Sequence, residues 1–457
     1  MSHTGMARES AGVVMALMLA GCGGGAEEPV GDKAGGSSPT VTLTLGTASP
    51  RGRSDTPRVE YFLQRLTALT NGSVKVEVSW SESNNDTDFE QSVAKKMLAG
   101  QMDLGWVGSR AFDTLGVTSL RAIQAPFLIT DNEVMGKVAL APVAQRMLAG
   151  LPAGGFIGLG LFPDELRHPI GIRKALASLH DFKGARVRTP TSNVSDAMLR
   201  ALGAEPVHLS GTAYGLAVHD GRLEGTDASL GLAPQLGGSV LTGNVVFYPR
   251  MDVLFTTDAA LGQLDHAQRA ALGQAADDAA RHTVDVLPKA EDSAQFCHES
   301  GQVVNASASD LSAMHQATQR VYNELEADPD TNANIAAIRA IAQKVPPAPT
   351  PQSCGPIGPS SSPPIQALVP DGVYVATATK ADALRLGVQN DCALKADGAH
   401  LRLELKDGQF SQWEKCSSMP DQLGSEGTFT VTADTLTFLH ERCCPPGSST
   451  GPSTAAT

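Results

Sequence analysis

The sequence predicts an α/β protein that carries a small antiparallel β module near its C-terminal end. Three observations lead there: hydrophobic positions that switch between a period of two and a helical period from Val41 to Val345, a proline-rich break from Pro346 to Pro364, and short alternating strands beyond it. Val41 to Leu45 and Val74 to Val78 alternate as half-buried strands. Arg58 to Leu69 and Phe89 to Ala99 place apolar residues at helical spacing. Strand-like runs at Leu104 to Val107, Phe156 to Leu161, Arg186 to Arg188 and Val245 to Tyr248 continue this β-α-β-α order, which predicts a largely parallel sheet. Asp265 to Leu287 and Ala308 to Leu325 read as helices.

Prolines from Pro346 to Pro364 cannot sit in a helix interior or a central strand, so this stretch reads as a semi-extended linker. Beyond it, Gly372 to Thr377, Leu401 to Leu405, Gly408 to Phe410, Thr428 to Thr432 and Leu436 to Leu439 are short strands separated by turn signals. A module of about eighty residues buries a modest core, and a disulfide such as Cys392 with Cys416 would support it. The Pro/Gly/Ser tail after Cys444 reads as disordered.

The chain has 457 residues and a formal net charge of -13. That balance argues against nucleic acid or anionic lipid headgroups as partners, so an anionic ligand must be caught by locally placed cations. At the N-terminus, Arg8 precedes an apolar run from Ala11 to Gly21, and Leu19-Ala20-Gly21-Cys22 ends it. That tetrapeptide resembles a bacterial lipobox, which implies cleavage before Cys22 and lipid on its thiol. No later stretch reaches the roughly 18 unbroken apolar residues of a membrane helix, so the membrane is met through the lipid alone. Export implies an oxidising compartment, where Cys297, Cys354, Cys392, Cys416, Cys443 and Cys444 are candidates for disulfides of unassigned connectivity. The expected organisation is signal peptide 1–22, tether 23–40, α/β domain 41–345, linker 346–364, β domain 365–446 and tail 447–457.

Common hydrolase and kinase signatures are absent, no zinc-type cysteine spacing occurs, and neither a catalytic residue, a metal nor a cofactor is expected. Four stretches instead carry a family pattern: Ala94 to Gly105 (AKKMLAGQMDLG), Asp181 to Pro190 (DFKGARVRTP), Gly203 to Val207 (GAEPV) and Tyr214 to Gly225 (YGLAVHDGRLEG), closed by Val321 to Leu325 (VYNEL). The segment of some three hundred residues resembles the DctP-type solute receptors of tripartite ATP-independent periplasmic (TRAP) transporters. The resemblance implies a two-lobed periplasmic-binding-protein fold of type II-like form with a hinge. Lobe I would take about 41–162 and 251–286, and lobe II about 163–250 and 287–345. It implies a lipid-anchored, extracytoplasmic, monomeric receptor that binds an organic acid and passes it to a TRAP permease. A sensory or interaction protein that keeps the fold without transport is the alternative.

In this family the arginine two residues before the proline of the second stretch holds the ligand carboxylate, which here is Arg188. The chemistry agrees: a strand stopped by Pro190 leaves Arg188 at the carboxyl edge of a sheet, where α/β folds bind ligands, and a guanidinium offers two parallel donors. Arg186 shares that strand face but corresponds to a solvated family position. Arg167 resembles a second arginine that closes on the ligand. Trp106 and Tyr214 are candidate aromatic walls. Ala228 stands where many members carry an asparagine. Gly108 stands where some carry a ligand-facing glutamate, which suggests a wider pocket able to admit a bulky apolar or aromatic acid.

Overall fold

In the computed structural model the described residues are 39–83, 86–230, 239–289, 291, 293–298 and 301–354, with strand segments 372–378, 399–406, 409–416, 422–431, 435–443 and 454–456. The signal peptide with Cys22 and most of the linker lie outside them.

Strands β1 (Val41–Thr47), β2 (Val74–Ser79) and β3 (Leu104–Gly108) form a parallel group with β1 in the middle. The connections are α1 (Thr56–Leu69) and α2 (Phe89–Leu98). Helix α1 starts with a proline in its first turn and buries Val59, Phe62 and Leu66, the apolar stripe that the helical period set out. After β3 the chain makes 3-10 turns at Ser109–Thr114 and Arg121–Gln124, then α3 (Asn132–Leu140) and α4 (Pro142–Leu148).

The long strand β4 (Ile157–Ile172) then crosses the molecule, and β9 (Tyr248–Thr256) runs back beside it in antiparallel pairing. Beyond the crossing lie α5 (Leu179–Phe182), β5 (Arg186–Arg188), α6 (Asn193–Leu202), β6 (Glu205–Val207), α7 (Gly211–His219), β7 (Gly225–Ala228) and β8 (Ser239–Thr242). Strand β5 sits between β6 and β7 and is parallel to both. The sheet is therefore mixed, where the sequence predicted a largely parallel one: β9 is antiparallel to β3 and β4, and β4 to β7 and β8. The correction has a physical cause. Two strands that carry the chain from one lobe to the other and back must oppose their neighbours. Strand β4 also extends beyond the expected Leu161, because the register shift between Pro163 and Leu166 absorbs the missing donor of Pro163.

Helices α8 (Asp258–Leu261) and α9 (His266–Asp285) follow, then α10 (Ser293–His298), β10 (Gln302–Val304), α11 (Ala308–Ala317), α12 (Gln319–Glu326) and α13 (Pro329–Ala342). Asp265 and Gln268 form a reciprocal capping box at the start of α9. Its small residues Ala275, Ala276, Ala279 and Ala280 are buried against α1 and β4. The single helix expected from Ala308 to Leu325 is broken at Thr318, whose hydroxyl turns back to the Met314 and His315 carbonyls. Helix α13, not anticipated, is capped by Asp328 and packs on α3 and α4. Helix α12 packs on α6. Residues 319–342 thus bridge both lobes, where the sequence reading gave them to lobe II.

Cys297 and Cys354 form a disulfide. Cys354 also exchanges both backbone hydrogen bonds with Val303 of β10, and Asn305 Nδ2 donates to the Pro351 carbonyl at 2.8 Å. The start of the linker is thereby strapped to lobe II. The expected Cys392–Cys416 pair lies outside the described side chains.

A second sheet is an antiparallel meander of β11 (Gly372–Ala378), β12 (Ala399–Lys406), β13 (Gln409–Cys416), β14 (Gln422–Val431), β15 (Thr435–Cys443) and β16 (Thr454–Ala456). Strand β16 pairs with β15, so the tail that composition marks as disordered supplies an edge strand. Among the described residues no helix is long and apolar enough to cross a membrane.

Candidate functional site

Strand β5 alternates as its length-three pattern demands. Val187 points into the lobe II core with Phe182, Met198 and Leu199, while Arg186 and Arg188 share the opposite face. Arg186 is at the rim, where its Nε lies 3.3 Å from Glu224 Oε2. Arg188 is 9% exposed, its Nε donates to the Leu209 carbonyl at 2.7 Å, and its guanidinium lies 4.8 Å from the Tyr214 ring centroid. That is cation–π distance. Among the described residues no carboxylate pairs with Arg188, and the Leu209 carbonyl is its acceptor. Burial lowers its pKa, with Tyr214 and Asp227 opposing that shift. Tyr214 is thus placed against Arg188.

Arg167 is placed beside the same cleft but is already committed. Its Nη2 donates to the Asp227 carbonyl at 2.5 Å and to Asp227 Oδ1 at 2.8 Å, both residues being buried. Asp227 Oδ2 accepts from Thr189 Oγ1 at 2.8 Å and from the Tyr248 hydroxyl. Burial alone would raise the Asp227 carboxyl, but Arg167 and Arg110 outweigh it and hold it below the usual carboxylate range. Asp227 escaped the sequence reading, which looked one residue on. Ala228 itself packs in an apolar layer with Ile170, Leu241, Phe296 and Val303.

A second engaged pair comes from lobe I. Arg110 Nε and Nη2 meet Glu90 Oε2 and Oε1 at 2.8 and 3.0 Å in a fork, and the Gly108 amide donates to Glu90 Oε1 at 3.1 Å. A β-carbon on Gly108 would lie 2.6 Å from Glu90 Oε1. The room expected beside Gly108 is therefore filled by a carboxylate returning from α2, which corrects the wider-pocket expectation.

Trp106 is not a cleft wall. It is fully buried in the lobe I core, with its ring centroid 4.2 Å from that of Phe162. Its Nε1 donates to Asp252 Oδ2 at 3.2 Å. Asp252 belongs to a buried ionic network at the β4–β9 crossing. Arg250 meets Asp252, Asp164 and Asp55 at 2.9, 3.1 and 3.3 Å, and Arg58 meets Asp164 at 2.6 Å. Burial pushes the Asp252 carboxyl up to about 7, with Arg250 opposing and Asp164, Asp55 and Glu90 adding to the rise. Arg53, from the turn after β1, has Glu165 as the foremost charge raising its pKa against burial.

The two lobes touch across this cleft. Thr191, just after β5, donates from Oγ1 to Asp88 Oδ1 at 2.8 Å and accepts at its carbonyl from Gln91 Nε2 at 2.8 Å. Ser210 Oγ donates to the Asp86 carbonyl at 2.5 Å. Among the described residues no group of His, Cys, Asp and Glu could hold a metal ion.

Residues 45–328 match the family described as bacterial extracellular solute-binding protein, family 7. The chain belongs to that family. The C4-dicarboxylate-binding periplasmic protein DctP of Rhodobacter capsulatus is 28% identical over 176 residues, which is 38% of this chain and 52% of that protein. This chain spans about half of that curated relative's length. A TRAP periplasmic solute-binding protein of Ralstonia eutropha with bound (S)-2-acetolactate shares the fold at TM-score 0.59 and 17% identity, covering 66% of this chain and 99% of its own. The sugar acid binding protein of Advenella mimigardefordensis, in complex with galactonate, does so at TM-score 0.56 and 18% identity, over 67% of this chain and 99% of its own. These solute-binding proteins share the two-lobed α/β architecture that the crossing strands β4 and β9 build here.

Proposed function

We propose that this family 7 protein is an extracytoplasmic receptor that holds an organic acid between its lobes, with Arg188 on the carboxylate, and delivers it to a TRAP-type permease. One observation carries the reading. Arg188 is buried, fixed through Nε to a backbone carbonyl and stacked on Tyr214, yet faces no counter-ion among the described residues. A buried charge without a partner is costly, and a ligand carboxylate relieves that cost by accepting two parallel charge-assisted hydrogen bonds. The relatives support this choice of ligand, since a C4-dicarboxylate, acetolactate and galactonate are the acids named for them.

Closure, not covalent chemistry, is the work proposed. The Asp86 to Gln91 segment meets Thr191 and Ser210 across the cleft, a contact that shuts a bound acid in and that opening would break. The family, described by solute binding, supports reading the protein as a binder and not an enzyme. The lipid on Cys22 would hold the receptor at the membrane as a monomer.

Thermal unfolding of the full chain against a panel of mono- and dicarboxylic acids tests the reading, with Arg188→Ala in parallel. A bound acid raises the melting temperature because it binds the folded state alone. A shift that disappears in the variant is expected. No shift with any acid, in folded protein stripped of bound ligand, overturns the proposal.

A further inference from the structure

We propose that the cleft accepts one carboxylate and rejects a second, so that the receptor selects monoanionic acids over dicarboxylates, and that Asp227 sets this selectivity by neutralising Arg167. The inference rests on the reading of Arg188 as the carboxylate anchor and names the ligand charge that this anchor serves.

The argument is an inventory of cations. A dicarboxylate buried between the lobes needs a second positive group whose charge is not already matched. Arg167 is one candidate, since it acts on Arg188 through charge and stands on the adjoining stretch of sheet. Its charge is matched by Asp227, which accepts from Nη2 and is buried and also held by Thr189 and Tyr248, while Arg167 Nε is left without a hydrogen-bond partner among the described residues. Arg110, the other arginine acting on Arg188, is clasped on two nitrogens by Glu90. Arg250 is shared among Asp55, Asp164 and Asp252, and Arg58 joins Asp164. Arg53 is coupled to Arg167 by charge and has Glu165 as its foremost opposite charge. Arg167, Arg110, Arg250 and Arg58 each have a carboxylate paired to them. Among the described residues Arg188 has none.

A single carboxylate therefore brings the cleft to balance. A second one would be desolvated beside Asp227 and Glu90, where like charges repel it and the charges of Arg167 and Arg110 are already matched. Binding would then favour ligands whose remaining groups are neutral.

The test uses pairs of one shape and different charge. Succinate and succinamate, glutarate and glutaramate, and phthalate and phthalamate are titrated calorimetrically into the full chain at pH 8, where both carboxyl groups of each diacid are ionised. Each monoamide is expected to bind at least about tenfold more tightly than its diacid, a factor that corresponds to ~1.4 kcal/mol. In Asp227→Asn, which frees Arg167 from its counter-charge, the ratio is expected to fall toward unity or reverse. A purely structural loss would weaken both members alike. Equal or tighter binding of the diacids by the unaltered protein, lost in Arg188→Ala, overturns this inference and leaves the receptor reading standing. Failure of every carboxylate to bind overturns the receptor reading itself and this inference with it. Should Asp227→Asn fail to fold, the ratio in the unaltered protein decides alone.

Discussion

Gly108→Ala is the smallest change that tests whether the Glu90–Arg110 clasp is as tight as its geometry states. The new β-carbon would lie 2.6 Å from Glu90 Oε1 and 3.5 Å from Arg110 Cζ, and the carboxylate must retreat from the first contact. That oxygen holds both the Gly108 amide at 3.1 Å and Arg110 Nη2 at 3.0 Å, so retreat stretches at least one of them in a buried setting. Losing a hydrogen bond to a charged group costs about 1.5–3 kcal/mol, and forcing an extra carbon into a packed site costs a similar ~1–3 kcal/mol. The two overlap, because one displacement relieves the clash and breaks the bond, so about 2–3 kcal/mol is expected in all. Urea unfolding measures it as a fall in midpoint at unchanged slope. Gly273→Ala, in α9 where a β-carbon meets nothing within 4 Å, is the control and should gain about 0.5–1 kcal/mol from helix propensity. A Gly108→Ala protein within about 0.5 kcal/mol of the unaltered chain, beside a control that behaves, would refute the clasp, since that is the scatter of harmless substitutions.

Two further perturbations follow from the same structure. Opening the Cys297–Cys354 disulfide by Cys→Ser at both positions releases a loop of sequence separation 57, for which chain entropy gives about 4 kcal/mol of lost stability. Unfolding that is unchanged by the double substitution contradicts the strap. For Asp252 the folded carboxyl keeps a proton up to about 7 that the unfolded one loses near its ordinary value, so this group makes stability fall as pH rises between about 4 and 7, by up to ~1.4 kcal/mol per unit. Asp252→Asn removes that slope, and its melting temperature should gain on the unaltered protein as pH goes from 5 to 7.5. A pH-independent gap contradicts the shift.

What the sequence showed and what it hid divide along one line, namely whether the signal is local. The strands β1, β2, β3 and β5 and the helices α1, α2 and α9 are legible because each carries its own period. The place of Arg188 at a strand end is legible because Pro190 stops its strand two residues later. The partners that define the site are distant: Glu90 and Arg110 are 20 residues apart and Arg167 and Asp227 are 60 apart, and nothing in a hydrophobic pattern announces such pairings. One signal was available. Glu90, Ala94 and Met97 fall on a single helical stripe, and a carboxylate on the buried face of α2 calls for a cation. Trp106 was misplaced for a different reason. All of β3 is buried, so alternation along it cannot tell the cleft side from the core side. Strand β4 was cut short because Pro163 and the charges after it look like a loop, although those charges are the buried groups of the crossing.

The central claim is that the Arg188 guanidinium, which no carboxylate pairs among the described residues, holds the ligand. Isothermal titration of the acid that gives the largest thermal shift, into the unaltered chain, Arg188→Lys and Arg188→Ala, tests it most directly. Removing one partner of a desolvated ion pair costs roughly 3–5 kcal/mol, so the alanine variant should lose about two to four decades of affinity. The lysine variant keeps the charge but not the planar fork, and should still lose about tenfold or more. Affinities within about threefold of the unaltered protein for both variants would contradict the account.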